Sequence, residues 1–172
     1  MNKNIPDKIN MANVYRDGVK LIGVSEEVEI PEFEAVTDGI TGFGMLGTIE
    51  TPAVGHYDSM EMEIPFSNLC EDIFSLADPT EVFNLTLRAS LQQMNGTGAL
   101  EHIGIRVVVR GACKKFTSGK VKQGEKMEAS ATLELSYIMI EIDGKQKIEL
   151  DKLNCIFKVN GKDLMQKIRG LA

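Results

Sequence analysis

The sequence predicts an antiparallel, mainly β domain, sandwich or barrel, with one or two short α-helices. Three observations lead there. Apolar and polar residues alternate over five stretches, which is the spacing of half-buried strands. Asp-Gly or Asn-Gly pairs stand at 17–18, 143–144 and 160–161, where two-residue hairpin turns need positive φ. Helical spacing is confined to two short segments, 68–78 and 164–171.

Taken in order, Val14 and Tyr15, then Val19 to Ile22, read as two strands around Asp17-Gly18. Val28 and Ile30 read as a strand that Pro31 ends or places at an edge. Residues 38–58 hold five glycines and a proline without a sustained period, and read as a long loop. Loops of that length in compact domains are usually functional. Met60, Met62, Ile64 and Phe66 share one parity, with Glu61 and Glu63 on the other. Asn68 and Glu71 then suggest a capping box, with Leu69, Ile73 and Leu76 on one helical face and Asp78-Pro79 as the stop.

Phe83 to Leu91 alternates until Asn95-Gly96 breaks it, and Ile103 to Val109 alternates again. From Met127 to Tyr137 the apolar residues keep one parity, then move to the other at Ile138, Ile140 and Ile142. A switch of face within one strand predicts a bulge, or a strand that leaves the core for a second apolar environment. Ile148 and Leu150 return from Asp143-Gly144, Cys155, Phe157 and Val159 form the last alternating set, and Leu164, Met165, Ile168 and Leu171 fit a terminal helix. We divide the chain into an N-terminal arm at 1–11 and a single β domain at 12–172 with its extended loop at 38–58.

At 172 residues the chain suits one domain, able to bury ~70% of its unfolded surface. Its longest run of A, V, I, L, M, F, W, Y and C is Tyr137 to Ile140, far from the ~20 residues of a membrane-spanning helix. The first residues lack the apolar stretch of a secretory signal. A net charge of −6 argues against a dedicated nucleic-acid binder. The distribution of that charge says more: between Leu21 and Leu87 stand 14 acids and no Lys or Arg, leaving 19 bases against 11 acids elsewhere. Arg110 to Lys126 alone carries six bases. Such segregation suits a protomer that docks an acidic patch on a copy's basic one.

Motifs of chemistry are weak. Gly42 to Gly47 matches G-x-G-x-x-G, but Pro52 and Gly55 follow where the phosphate-binding helix belongs, so a loop approaching another backbone is the better reading. Two histidines, His56 and His102, allow no His-rich metal site, and a His102–Cys113 dyad has no support beyond composition. Asp38, Glu50 and Asp58 are spaced unlike a calcium loop. Cys70, Cys113 and Cys155 read as free thiols, with Cys155 sharing the core parity of Phe157. Neither a catalytic residue, a cofactor nor a metal is assigned.

The order of several short segments carries a resemblance. They are Asn13-Val14-Tyr15-Arg16-Asp17-Gly18, Val28-Glu29-Ile30-Pro31, Gly42-Phe43-Gly44 to Gly47, and Gly55-His56-Tyr57-Asp58. Leu87-Arg88-Ala89, Val109-Arg110-Gly111, Tyr137 to Gly144, and above all Asp151-Lys152-Leu153-Asn154-Cys155 through Asn160-Gly161-Lys162-Asp163 complete the series. In that order the chain resembles the major tail tube proteins of contractile-tailed bacteriophages and R-type pyocins. The resemblance implies a tail-tube-like β fold that self-assembles as stacked hexameric rings around a channel for DNA. It implies sheath, tape measure, baseplate and tail terminator proteins as partners, DNA as passing cargo, no membrane, and a place in the virion tail after assembly in the bacterial cytoplasm.

On this reading Gly42, Phe43, Gly44, Met45, Leu46, Gly47, His56 and Tyr57 belong to an inter-protomer or inter-ring arm. Ile138, Ile140 and Ile142 belong to a strand shared between the protomer core and a neighbour. The acidic stretch helps line a lumen that gives DNA phosphates no grip. A bacteriocin or other contractile injection tube, and a ligand-binding β-barrel or enzyme, are the alternatives.

Overall fold

The computed structural model describes residues 4–25 and 27–172. Its strands are β1 (Ile5–Arg16), β2 (Val19–Lys20), β3 (Ala35–Ile40), β4 (Ile49–Tyr57), β5 (Glu61–Phe66), β6 (Val82–Met94), β7 (Leu100–Thr117), β8 (Ala129–Ile142), β9 (Lys145–Asp151), β10 (Ile156–Val159) and β11 (Lys162–Asp163). Two one-turn helices, α1 (Glu71–Phe74) and α2 (Gln166–Arg169), complete the described chain. A single antiparallel sheet runs in the order β11-β10-β9-β8-β7-β6-β1-β2, β5 adds to β8, and β3 pairs with β4 apart from it. The mainly β, antiparallel prediction with short helices holds.

The turns follow their residues. Asp17 and Gly18 (φ 46° and 86°), Asp143 and Gly144 (51° and 69°), and Asn160 and Gly161 (49° and 81°) all take the positive φ values that tight hairpins require. The parity switch in β8 is a bulge: Arg110 pairs with Tyr137 and Gly111 with Leu135, so Ser136 is the extra residue, its hydroxyl donating to the Arg110 carbonyl at 3.2 Å. The bulge divides β8 by partner as well. Residues 129–134 pair with β5, whereas 137–142 pair with β9.

The half of β8 before the bulge helps to curl the sheet around the core. Beyond β2 the chain bridges Val24 to Phe66 on the free side of β5, with Ser25 N donating to the Pro65 carbonyl and Ser67 N to that of Gly23. Inside lie Ile64, Phe66, Phe83, Leu85, Val107 and Leu133, all essentially inaccessible. Helix α1 closes one end with buried Ile73 and the following Leu76. It is tied there by Asp72, which accepts from Ile22 N at 2.6 Å, and by the Ser75 carbonyl, which accepts from the Arg16 guanidinium. The second half of β8 carries β9 to β11, with Ile138, Leu150, Phe157 and Met165 buried.

Several expectations are corrected. Residues 5–11, assigned to an arm, form the first part of β1 and pair with β6 from Ile5↔Met94 onward, while 1–3 lie outside the described residues. Residues 38–58 are not an irregular loop; they are largely the β3–β4 hairpin. Val28 and Ile30 form no strand. The capping box does not form: Cys70 is the N-cap, and the Asn68 side chain accepts instead from Met127 N at 3.3 Å. Cys155 is exposed because it leaves the strand in a turn at φ 53°, Ile168 faces outward from α2, and Leu171 is exposed in the turn beyond it.

Candidate assembly surface

Each functional surface begins where the core stops covering the sheet. Strand β7 has 18 residues and so spans ~60 Å, against a usual strand of ~6 residues. Strands β1, β6 and β8 have 12, 13 and 14. Cross-strand pairing puts Leu87, Val107 and Ile140 in one row of the inner face; the next rows hold Ala12, Ala89, Ile105 and Ile142, then Ile9, Leu91 and Ile103. Leu87 and Val107 are buried by the body. Farther along, Leu91, Ile103 and Ile105 are half-buried and Ile9 is exposed. The apolar face therefore continues past its own cover.

Beside it, β1 and residues 21–30 form the walls of an apolar groove of about 1000 Å³. Its lining includes Ile9, Val14, Ile22, Val28, Ile30 and Ala89. This groove and the β1 end escaped the sequence reading. The signal was present in Ile9, Leu91 and Ile103, but irregularities at Pro6/Lys8 and Ile9/Met11 broke the period along β1.

A second surface is the arm. The root of the β3–β4 hairpin is fastened by an edge-on aromatic chain, Phe33 to Tyr57 at 5.9 Å and Tyr57 to Phe157 at 5.3 Å between ring centres. Burial there pushes the Tyr57 hydroxyl pKa upward. Gly55, at φ 77°, lets Met165 lie against the arm: a Cβ on residue 55 would stand 2.5 Å from its Sδ. From this root the paired strands run to Ile40↔Ile49, and the tip turns through Gly44 and Gly47 at φ 88° and 141°. Phe43 and Leu46 touch almost nothing, with exposures of 112% and 109%. These apolar side chains, at the end of an anchored ribbon, gain nothing from the protomer's own fold.

Of the residues assigned to an interface from sequence, Gly42, Phe43, Gly44, Met45, Leu46 and Gly47 thus gather at the tip. His56 is exposed near the root, and Tyr57 is half-buried within the protomer. Ile140 and Ile142 lie half-buried on the apolar sheet face. Ile138 requires correction: at 1% exposure it belongs to the protomer's own core, opposite Val109 and Leu150, and has no surface to give a neighbour.

The segment from Asp151 to Asn154, prominent in the resemblance, has a local structural role. The Asp151 carboxylate accepts from Leu153 N at 3.1 Å, Asn154 N at 2.9 Å and the Asn154 side-chain amide at 2.7 Å, which fixes the β9–β10 turn. Burial opposes ionisation of Asp151, but these bonds together hold its carboxyl below the usual range. Tyr137, paired directly across the sheet with Asp151, donates to Glu149 at 3.0 Å, and burial with that carboxylate pushes the phenol up to about 12.

The acidic and basic stretches of the sequence meet at one point and separate at another. Glu32, Glu34, Asp58 and Glu61 line one cleft, with Lys114 bonded to Glu61, whereas Lys120, Lys122 and Lys126 are exposed together on the β7–β8 connection. Asp38 and Glu50 sit on neighbouring rungs of the arm, and among the described residues no three His, Cys, Asp or Glu side chains converge as metal ligands. His102 and Cys113 are eleven residues apart on one strand, or ~36 Å, so they form no dyad.

Comparison with known proteins places the sequence in a family. The sequence model of the family described as phage tail tube protein FII matches residues 6–171. The tail tube protein of Escherichia phage P2 is 30% identical over 167 residues, which cover 96% of each chain. The major tail tube protein of Serratia phage KSP20 is 26% identical over 160 residues, covering 93% of this chain and 91% of that one. With nearly its whole length matched, this chain belongs to the phage tail tube protein family, whose members are structural components of the virion tail.

Proposed function

We propose that copies of this chain assemble into hexameric rings that stack as the inner tube of a contractile tail, with DNA passing through the channel. The observation that carries the reading is the apolar sheet face that outruns its cover, together with the solvated arm tip. A protein that folds alone has no reason to build strands twice the usual length and leave their ends uncovered. Neighbouring copies, laid side by side, remove both the apolar surface and the open edges from water.

Charge supports the same reading. Carboxylates facing the channel would hold no counterion-release contacts with phosphate, so DNA slides without binding. Acidic and basic patches on one chain favour head-to-tail docking of copies over indiscriminate association. The outer wall meets the sheath, and the tube ends and interior meet the baseplate, terminator and tape measure proteins. Assembly takes place in the bacterial cytoplasm, before the tail joins the virion.

Electron microscopy of negatively stained protein at rising concentration tests this directly. Rings or tubes are expected, and replacing residues 42–47 by an Asn-Gly turn is expected to leave the β body folded while tubes no longer grow. A chain that stays monomeric at every concentration and salt, with or without tail partners, contradicts the proposal.

A further inference from the structure

Two arginines face each other on the side of the sheet opposite the core. Arg88 of β6 and Arg106 of β7 are direct cross-strand partners, with Asn13 of β1 and Glu141 of β8 completing their row. Like charges set opposite one another destabilise a sheet unless something neutralises both. Within the chain only one is neutralised. Arg106 pairs with Glu141 at 2.8 Å, whereas Arg88 rests over the Tyr15 ring, 5.5 Å from its centre, with no carboxylate in reach among the described residues. Arg106 also keeps a buried Nε without a hydrogen-bond partner.

Both arginines line an open cleft of about 610 Å³. Its floor is the next row of the same face, where Ser90 stands opposite Gly104. The backbone does not require glycine at 104: its φ lies outside the left-handed region, and a Cβ there would meet nothing within 4 Å. What the glycine does is leave the floor bare. We infer that the cleft binds one small oxyanion of the phosphate type, held by Arg88 and Arg106 with Asn13 and Ser90 beside them. Guanidinium forks match the oxygens of a phosphate, and an anion between them relieves the repulsion of the row. The acids of the cleft limit the size of the ligand. Glu141 and Asp143 stand on its β8 side, where they repel the further phosphates of a polymer, so the ligand is a free phosphate ion and not a nucleic-acid backbone. The site is complete in one protomer and does not rest on the tube reading.

Magnetic resonance titration of the isotope-labelled, dispersed protomer with inorganic phosphate, exchanged against chloride at constant ionic strength, tests the site. The amides of residues 88–90 and 102–106 should shift and saturate together, while those of β5 stay in place. Arg88→Gln should weaken binding ~10-fold or more, as the loss of a charged hydrogen-bond donor does. Gly104→Val fills the floor without changing any charge and should abolish binding. Residues 88 and 104 are both exposed, and the β5 amides report that each variant keeps its fold. A duplex DNA fragment at equal phosphate concentration should not reproduce the shifts. Shifts that never saturate, that persist undiminished in either variant, or that the DNA reproduces overturn the assignment.

Discussion

Val107 and Ile103 stand on the same strand and point to the same face, yet the first is fully buried by its own chain and the second is not. The same contrast divides the molecule. At one end the sheet is curled around Phe66, Leu85 and Leu133, and closed by Ile73 and Leu76 of the α1 region. At the other, equally apolar rows continue with only partial cover, Leu91, Ile103 and Ile105 half-buried and Ile9 exposed, and the arm carries Phe43 and Leu46 into solvent. Composition barely differs between the two regions; cover does. Apolar residues in the covered region pay their energetic dividend when the protomer folds, and those in the uncovered region contribute only when copies meet. Substitutions in the two regions should therefore separate stability from assembly.

The largest effect on stability belongs to the covered region. Phe66→Ala should cost ~3–5 kcal/mol through lost burial and the cavity left behind. The urea midpoint of the dispersed protomer reads this directly, and a loss below ~1 kcal/mol would mean that the core is not packed as described. Next comes the β9–β10 turn. Asp151→Ala leaves two backbone donors and the Asn154 amide without their acceptor, at ~1–3 kcal/mol. Because folding lowers the Asp151 pKa, its contribution is complete above the unfolded value of ~3.9 and is lost as pH falls through the folded value. The acid limb of stability against pH should be flatter in the variant than in the parent.

A smaller effect is expected at the arm root. Gly55→Ala meets both the positive φ and the Met165 side chain, for a cost of ~1 kcal/mol. The part due to contact should shrink in a Met165→Ala background, which a double-mutant cycle measures; strict additivity would place the arm elsewhere. The smallest stability change is expected for Phe43→Ser with Leu46→Ser, within ~0.5 kcal/mol of the parent, as for other exposed sites. Tube growth should nevertheless be lost, and that disparity is the sharpest form of the comparison.

The legibility of these regions in the sequence differs for a physical reason. Where one face is buried, alternation is enforced, so β5, β6 and the Ser136 bulge in β8 were readable from Met62, Ile64 and Phe66 or from the shift at Ile138. The β3–β4 ribbon is solvated along most of both faces, so nothing imposes alternation on it, and its glycines read as a loop. Strand β1 hides its pattern behind two register irregularities. Cys155 shares parity with Phe157 but lies in a positive-φ turn, which parity alone does not encode. At the candidate site, the tip residues were assigned to an arm through the resemblance, their glycines only allowing close backbone approach, whereas the groove joins β1 to a segment without regular structure and exists only after folding. Ile138 was misplaced because the bulge returns it to the core on the far side of the kink instead of turning it toward a neighbour.

The central claim is that the uncovered surfaces of one copy are covered by others. Amide hydrogen exchange, compared between dispersed protomers and assembled tubes, tests it most directly. Slowed exchange on assembly should concentrate at the tip, residues 42–47, along the Ile5–Ala12 portion of β1 and in 21–30, with the amides of β5 and the middle of β7 already protected in the protomer. Tubes that form while the tip and β1 exchange as freely as in the protomer would contradict the account.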